Sequence, residues 1–318
     1  MRRLHPLALA LASVPLALGL TASAHAQSDA SAPPETEIIV PGDLDADERK
    51  TAVNRFIRAV LKAPKGQYAR FNEPICPSGI GFSKNVETLV EARIREVAKA
   101  AGIEVAGAGC KPNLHLMAVE DGRKTIRELR SKRTGAFGQM LPAQRNTIAR
   151  GPGPVFNWHV VFPISTDDGR NRARQGSGYV PNVGSDPGRG GISLLSEDGY
   201  NAGMTNVKSR LQKSVKQDIT HGFVLIERKA LLGLSPIQIA DFAAMRGLLS
   251  ADPENEDLGP VSTIMTLFDE PEDAALPGLT EWDLALLSAL YRAPTDLSAD
   301  RQRSLMAKLF QASLEGPQ

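Results

Sequence analysis

Apolar residues recur at helical spacing along much of the chain. Leu89, Val90, Ile94, Val97 and Ala101 form one face of a predicted helix over 84–101, and Gly102 is placed to stop it. Val53, Phe56, Ile57, Val60 and Leu61 repeat the pattern upstream, behind the acids Asp43, Asp45 and Asp47, which suit the positive N-terminal end of a helix. Ser235-Pro236-Ile237-Gln238 is a capping box with proline at the first helical position. Ile239, Ala240, Phe242, Ala243, Ala244 and Met245 follow it, small and apolar all round, which predicts a helix buried against a sheet. Thr280-Glu281-Trp282-Asp283 is a second capping box, continued by Leu284, Leu286, Leu287 and Leu290. A final helix is predicted over 299–314.

Strand-like segments lie between these helices: 68–82, broken by Pro74 and Pro77; 113–119; 155–163, with Trp158 and His159 inside it; and 219–227. The last of these is expected at the edge of the sheet. Residues 122–133 read as a basic helix, with Arg123, Lys124, Arg127, Arg130, Lys132 and Arg133 against Glu128. Residues 165–215 are polar and rich in glycine and arginine, the pattern of a long functional or disordered loop. The expected fold is α+β: a mixed sheet packed on helices in one domain over 44–318, with the 165–215 loop inserted.

The N-terminus changes the picture of where the protein works. Arg2 and Arg3, an apolar run from Leu7 to Leu20, and Ala24-His25-Ala26 read as a cleavable signal peptide over 1–26. A flexible leader, rich in Ser, Ala and Pro, is expected over 27–43. No later stretch reaches 18 apolar residues, so no transmembrane segment is expected after cleavage. The expected location is the periplasm or the medium. Of 37 basic residues, Arg2 and Arg3 leave with the signal; the remaining 35 face 36 acids. A near-neutral chain gives nucleic acid no support as the main partner. Cys76 and Cys110, the only cysteines, are expected to pair in an oxidising compartment.

Recognised reaction signatures are absent. Asp43, Asp45 and Asp47 resemble a calcium loop, but its sixth position is Glu48 and its twelfth Asn54. The glycine pairs at 79/81, 107/109, 151/153 and 176/178 lack the third glycine of a dinucleotide fingerprint. Neither a G-x-S-x-G elbow nor an S-x-x-K motif occurs. Carboxylate pairs for glycoside chemistry come together only in three dimensions and stay open.

The C-terminal block resembles the catalytic end of a zincin, the fold of matrixin-like metalloproteases, and is similar to secreted proteobacterial proteins of unknown function. Strand, helix, strand, strand, long loop, edge strand and buried helix is the element order of that core. Laying H-E-x-x-H-x-x-G-x-x-H on the chain gives Ala240, Asp241, Ala244, Gly247 and Ser250. The glycine matches, and an acid stands at the general-base position. The three ligand positions, Ala240, Ala244 and Ser250, hold no histidine, and alanine cannot ligate zinc. Thr263-Ile264-Met265 resembles the segment after the family's helix, and Leu279-Thr280-x-x-Asp283 to Leu290-Tyr291 its closing helix. The resemblance implies a zincin-like core without metal or cofactor.

Three functional readings follow. The first is a non-catalytic protein that holds an extended peptide from an unknown periplasmic partner in a cleft between the 219–227 strand and the 237–249 helix. The second is a hydrolase with a non-standard site, using Asp241 and a histidine among His115, His159 and His221. The third is an envelope scaffold that docks through the basic helix 123–133 on an anionic surface, lipid headgroup or cell-wall polymer.

Overall fold

A computed structural model describes residues 44–167, 213–250, 258, 261–269 and 275–315. They belong to the compact unit 39–318. The predicted signal peptide, the predicted leader to residue 43 and 168–212 of the predicted loop lie outside the described residues.

In chain order the elements are α1 (Ala46–Val60), β1 (Pro77–Ile80), α2 (Lys84–Ala100), β2 (Leu114–Val119), α3 (Gly122–Lys132), α4 (Pro142–Arg150), β3 (Val155–Ser165), β4 (Val215–Glu227), α5 (Pro236–Leu248), α6 (Glu281–Arg292) and α7 (Ala299–Leu314). The sheet runs β1-β2-β4-β3; β1, β2 and β4 are parallel, and β3 is antiparallel to β4. The class is α+β. Local chemistry sets the boundaries. Asp45 and Glu48 close a capping box at α1, and Gly102, at φ +76°, follows the last turn of α2.

The strand at 219–227 was expected at the edge, and the structure corrects this. β4 is interior: residues 222–227 pair with β2 on one side, β3 lines the other, and Arg70 bridges to Asp218 further up. Phe223 to Ile226 are buried in succession, the mark of a strand covered on both faces. The edges are β1 and β3. Of the strand predicted over 68–82, only Pro77–Ile80 and isolated bridges form. Tyr68 and Phe71 are buried there without regular pairing.

The sheet separates two cores. On one face Leu114, Leu116, Val224 and Ile226 meet Val90, Ile94 and Val97 of α2 and the small residues of α5. Full burial of each such aliphatic side chain stabilises by about 1.5–3 kcal/mol. Further out, Phe56 of α1, Trp282 of α6 and Phe310 of α7 pack edge-to-face at 5.2–6.1 Å. On the other face α3, α4 and a 3-10 turn (Thr134–Phe137) cover β3 and β4. Ile126 and Phe137 there join Phe156, Trp158, Val160, Phe223 and Leu225. The expected Cys76–Cys110 disulfide is formed, closing the β1–α2–β2 unit. Helix α4 was not predicted; none of its residues is fully buried, so it carries little apolar stripe to read.

Candidate functional site: a sealed helix and an open sheet edge

Helix α5 carries the residues singled out by the zincin alignment. Ala240, Asp241 and Ala244 are all 0% exposed. Gly247 lies so close to β2 that a Cβ there would sit 2.5 Å from Leu114 Cδ1. From the opposite side, a Cβ on Gly222 of β4 would lie 2.9 Å from the Gly247 carbonyl oxygen. Helix and strand are therefore in backbone contact, which corrects the expected cleft between β4 and α5. Ser250 is half-buried just past the helix, and its carbonyl accepts from Lys62 N at 3.5 Å.

Asp241 is held from two directions. Arg93 Nε donates to Oδ1 at 2.7 Å and Nη2 to Oδ2 at 3.0 Å; Leu279 N donates to Oδ2 at 2.7 Å. Gly278 is needed beside it, since a Cβ there would lie 2.7 Å from Oδ2. Asp283 performs the same task one residue further on. Its Oδ2 accepts from Thr280 N at 3.0 Å and Ile264 N at 2.9 Å, and its Oδ1 from the Thr263 hydroxyl. Burial raises the Asp283 pKa, and these donors oppose the rise. Two buried carboxylates thus hold the consecutive amides of Leu279 and Thr280. They lock the Thr263-Ile264-Met265 segment and the start of α6 onto α5.

The histidines divide between the two faces of the sheet. His159 faces α5 and donates from Nε2 to the Gly247 carbonyl at 2.9 Å; burial pushes its pKa down to about 4. His115 and His221 lie on the opposite face, with rings parallel and 6.1 Å apart. Burial, with His221 alongside, pushes His115 down to about 4, and its Nδ1 is hydrogen-bonded to Ser78 Oγ at 3.0 Å. Burial first, then Lys111, lowers His221. Among the described residues, no histidine is hydrogen-bonded to Asp241 or Asp283. Among the described residues, no three of His, Cys, Asp or Glu converge to hold a metal ion.

A row of side chains that no local pattern announces crosses the sheet. Ser78, His115, Phe223 and Trp158 are register partners on four neighbouring strands. The last three stack as flat rings at 4.8 and 4.9 Å, and Phe137 continues the stack 5.2 Å beyond Trp158. Only cross-strand register makes the row visible.

The two sheet edges differ. On β1 the Gly79 amide is taken by Glu91 Oε1 at 2.9 Å. On β3 the ladder bond from Glu227 N to Pro154 O sets the phase, so the backbone groups of Val155, Asn157 and His159 point away from β4. Among the described residues, no backbone hydrogen bond joins those three to another segment. Their side chains face α5: Asn157 Oδ1 accepts from Arg246 Nη2 at 2.6 Å, and His159 bonds Gly247 as above. The chain matches no family model, no curated protein and no solved structure.

Proposed function

We propose that this chain is a non-catalytic, secreted or periplasmic binding protein with a zincin-like core, and that it holds an extended peptide along β3. The element order supports the core: strand, helix, strand, then, past the interposed α3 and α4, an antiparallel edge strand, a parallel inner strand and a buried helix. The disulfide suits an oxidising compartment. The three hydrogen bonds to Asp241 and its complete burial favour a structural carboxylate over a general base.

The observation that carries the peptide reading is the outward row of backbone groups at Val155, Asn157 and His159. An added strand bonds such a row without a metal, and side chains beside it supply selectivity. The test is selection from a displayed library of extended peptides, followed by hydrogen exchange on the complex. Binding should slow exchange at the amides of Val155, Asn157 and His159. Val155→Pro removes an outward amide at the first residue of the strand, where proline is tolerated. It should abolish binding with the melting temperature unchanged. Peptides that leave β3 exchange unaltered, or that bind the variant equally, would overturn the reading.

A further inference from the structure

The layer formed by α3 and α4 is electrically unlike the rest of the molecule. Residues 122–150 hold eight Lys or Arg and a single acid, Glu128, a net charge of +7. The whole chain carries +1, so everything else sums to −6. This is charge segregation within a neutral chain.

The layer turns most of these charges outward; Arg130 and Arg145 are half-buried, and Arg145 lies over the Phe137 ring. Helix α3 buries only Gly122 and Ile126, and α4 fully buries nothing. Arg123, Lys124, Arg127, Lys132 and Arg133 are exposed. Lys124, Arg127 and Arg130 follow one another at a spacing of three along α3, where like charges are neighbours and oppose the helix. One intrahelical pair offsets this, Lys132 to Glu128 at 3.7 Å between exposed side chains. Leu141, at the N-cap of α4, is 56% exposed in the same layer.

We infer that the α3–α4 layer docks the protein on an anionic lipid surface, with the basic residues on headgroups and Leu141 entering the apolar boundary. The partner's charge follows from complementarity to the +7 layer. Its lipid character follows from Leu141, since an apolar side chain beside basic ones suits a bilayer interface. A single-stranded nucleic acid would want exposed rings for stacking. The aromatic residues of this layer and the strand beneath it, Phe137, Phe156 and Trp158, are buried instead. This inference is independent of the peptide reading, because it uses neither the β3 edge nor α5.

The test is vesicle flotation of the exported protein with phosphatidylcholine vesicles, with and without phosphatidylglycerol. The protein should float with the anionic vesicles at low salt and be released at high salt. Each basic residue near an anionic leaflet is worth about five-fold in partitioning, so the double substitution Arg127→Glu and Arg130→Glu should weaken binding at least thirty-fold, roughly. Lys124→Glu with Arg133→Glu repeats the test if the first pair disturbs folding, and Leu141→Glu should weaken binding at full positive charge elsewhere. Failure to float with phosphatidylglycerol, or equal flotation of both charge-reversed variants, overturns the inference. Retention on cell-wall sacculi or single-stranded DNA without flotation overturns it in favour of a polymer.

Discussion

Arg93 of α2 grips the carboxylate of Asp241 on α5 at two points, through Nε and Nη2, across 148 positions of sequence. The acid is 0% exposed, whereas the Arg93 side chain keeps 30% of its surface in solvent. Removing the arginine strands a buried charge, which costs more than the pair's own net worth. Arg93→Ala should destabilise the protein by about 2–3 kcal/mol, below the roughly 3–5 kcal/mol of a fully buried pair because water reaches the arginine. Arg93→Lys should recover only part, having no second donor in a planar fork. Urea denaturation measures both, and a wild-type midpoint for Arg93→Ala would show the pair to be slack.

Acid should weaken the fold through His159. Folded, this imidazole stays neutral down to about pH 4; unfolded, it takes up a proton near its ordinary 6.5. The unfolded state binds more protons across that window, so stability rises with pH through it and levels off above. His115 acts in the same sense, while the raised pKa values of Asp218 and Asp283 act in the opposite one. The informative quantity is therefore a difference. His159→Gln retains a donor for the Gly247 carbonyl and does not titrate. It should lose less stability than wild type between about pH 7 and about pH 4.5, and parallel losses would refute the assignment.

Loss of the disulfide should be costly. Cys76 and Cys110 are 34 positions apart, and a closed loop of that length stabilises by about 4 kcal/mol in the chain-entropy model. Cys76→Ser with Cys110→Ser, compared with the oxidised protein by calorimetry, should show a lower melting temperature. An unchanged melting temperature would mean that the β1–α2–β2 unit holds its ends without the bond.

Gly222→Ala should push α5 off the sheet. The new methyl meets the Gly247 carbonyl at 2.9 Å and Leu114 Cδ1 at 3.0 Å, and such overpacking costs about 1–3 kcal/mol. Gly135→Ala, where the methyl finds open space, is the control and should change stability by less than about 0.5 kcal/mol. Equal effects would show that helix and strand do not approach this closely.

Elements that announce themselves locally were legible in the chain. The boxes at Ser235 and Thr280 form as predicted, Gly102 ends α2, and α7 spans Ala299–Leu314. The α+β class follows from these helices and the strands between them. Edge and interior were exchanged because β3 and β4 both carry buried apolar residues, and strand order depends on long-range pairing. The Arg93–Asp241 tie had one readable trace: Arg93 falls between Val90 and Val97 at helical spacing, inside an apolar stripe, where a charge calls for a partner. Nothing local named Asp241 as that partner. The Ser78-His115-Phe223-Trp158 row likewise depends on register across four strands.

The chain's two tryptophans sit on opposite sides of the sheet, and this gives the protein a built-in pair of optical reporters. Trp282 lies edge-on to Phe56 and Phe310 in the larger core, and its indole nitrogen has no hydrogen-bond partner among the described residues. Trp158 lies flat between Phe137 and Phe223, with its indole bonded to the Ala136 carbonyl at 2.8 Å. Unequal surroundings give unequal emission, so single-tryptophan variants, with phenylalanine at one site or the other, would follow each layer separately. The thin basic layer beneath Trp158 has far less buried apolar surface than the core around Trp282. Its fluorescence should therefore change first as denaturant is added, marking a partly opened molecule whose main core is still closed.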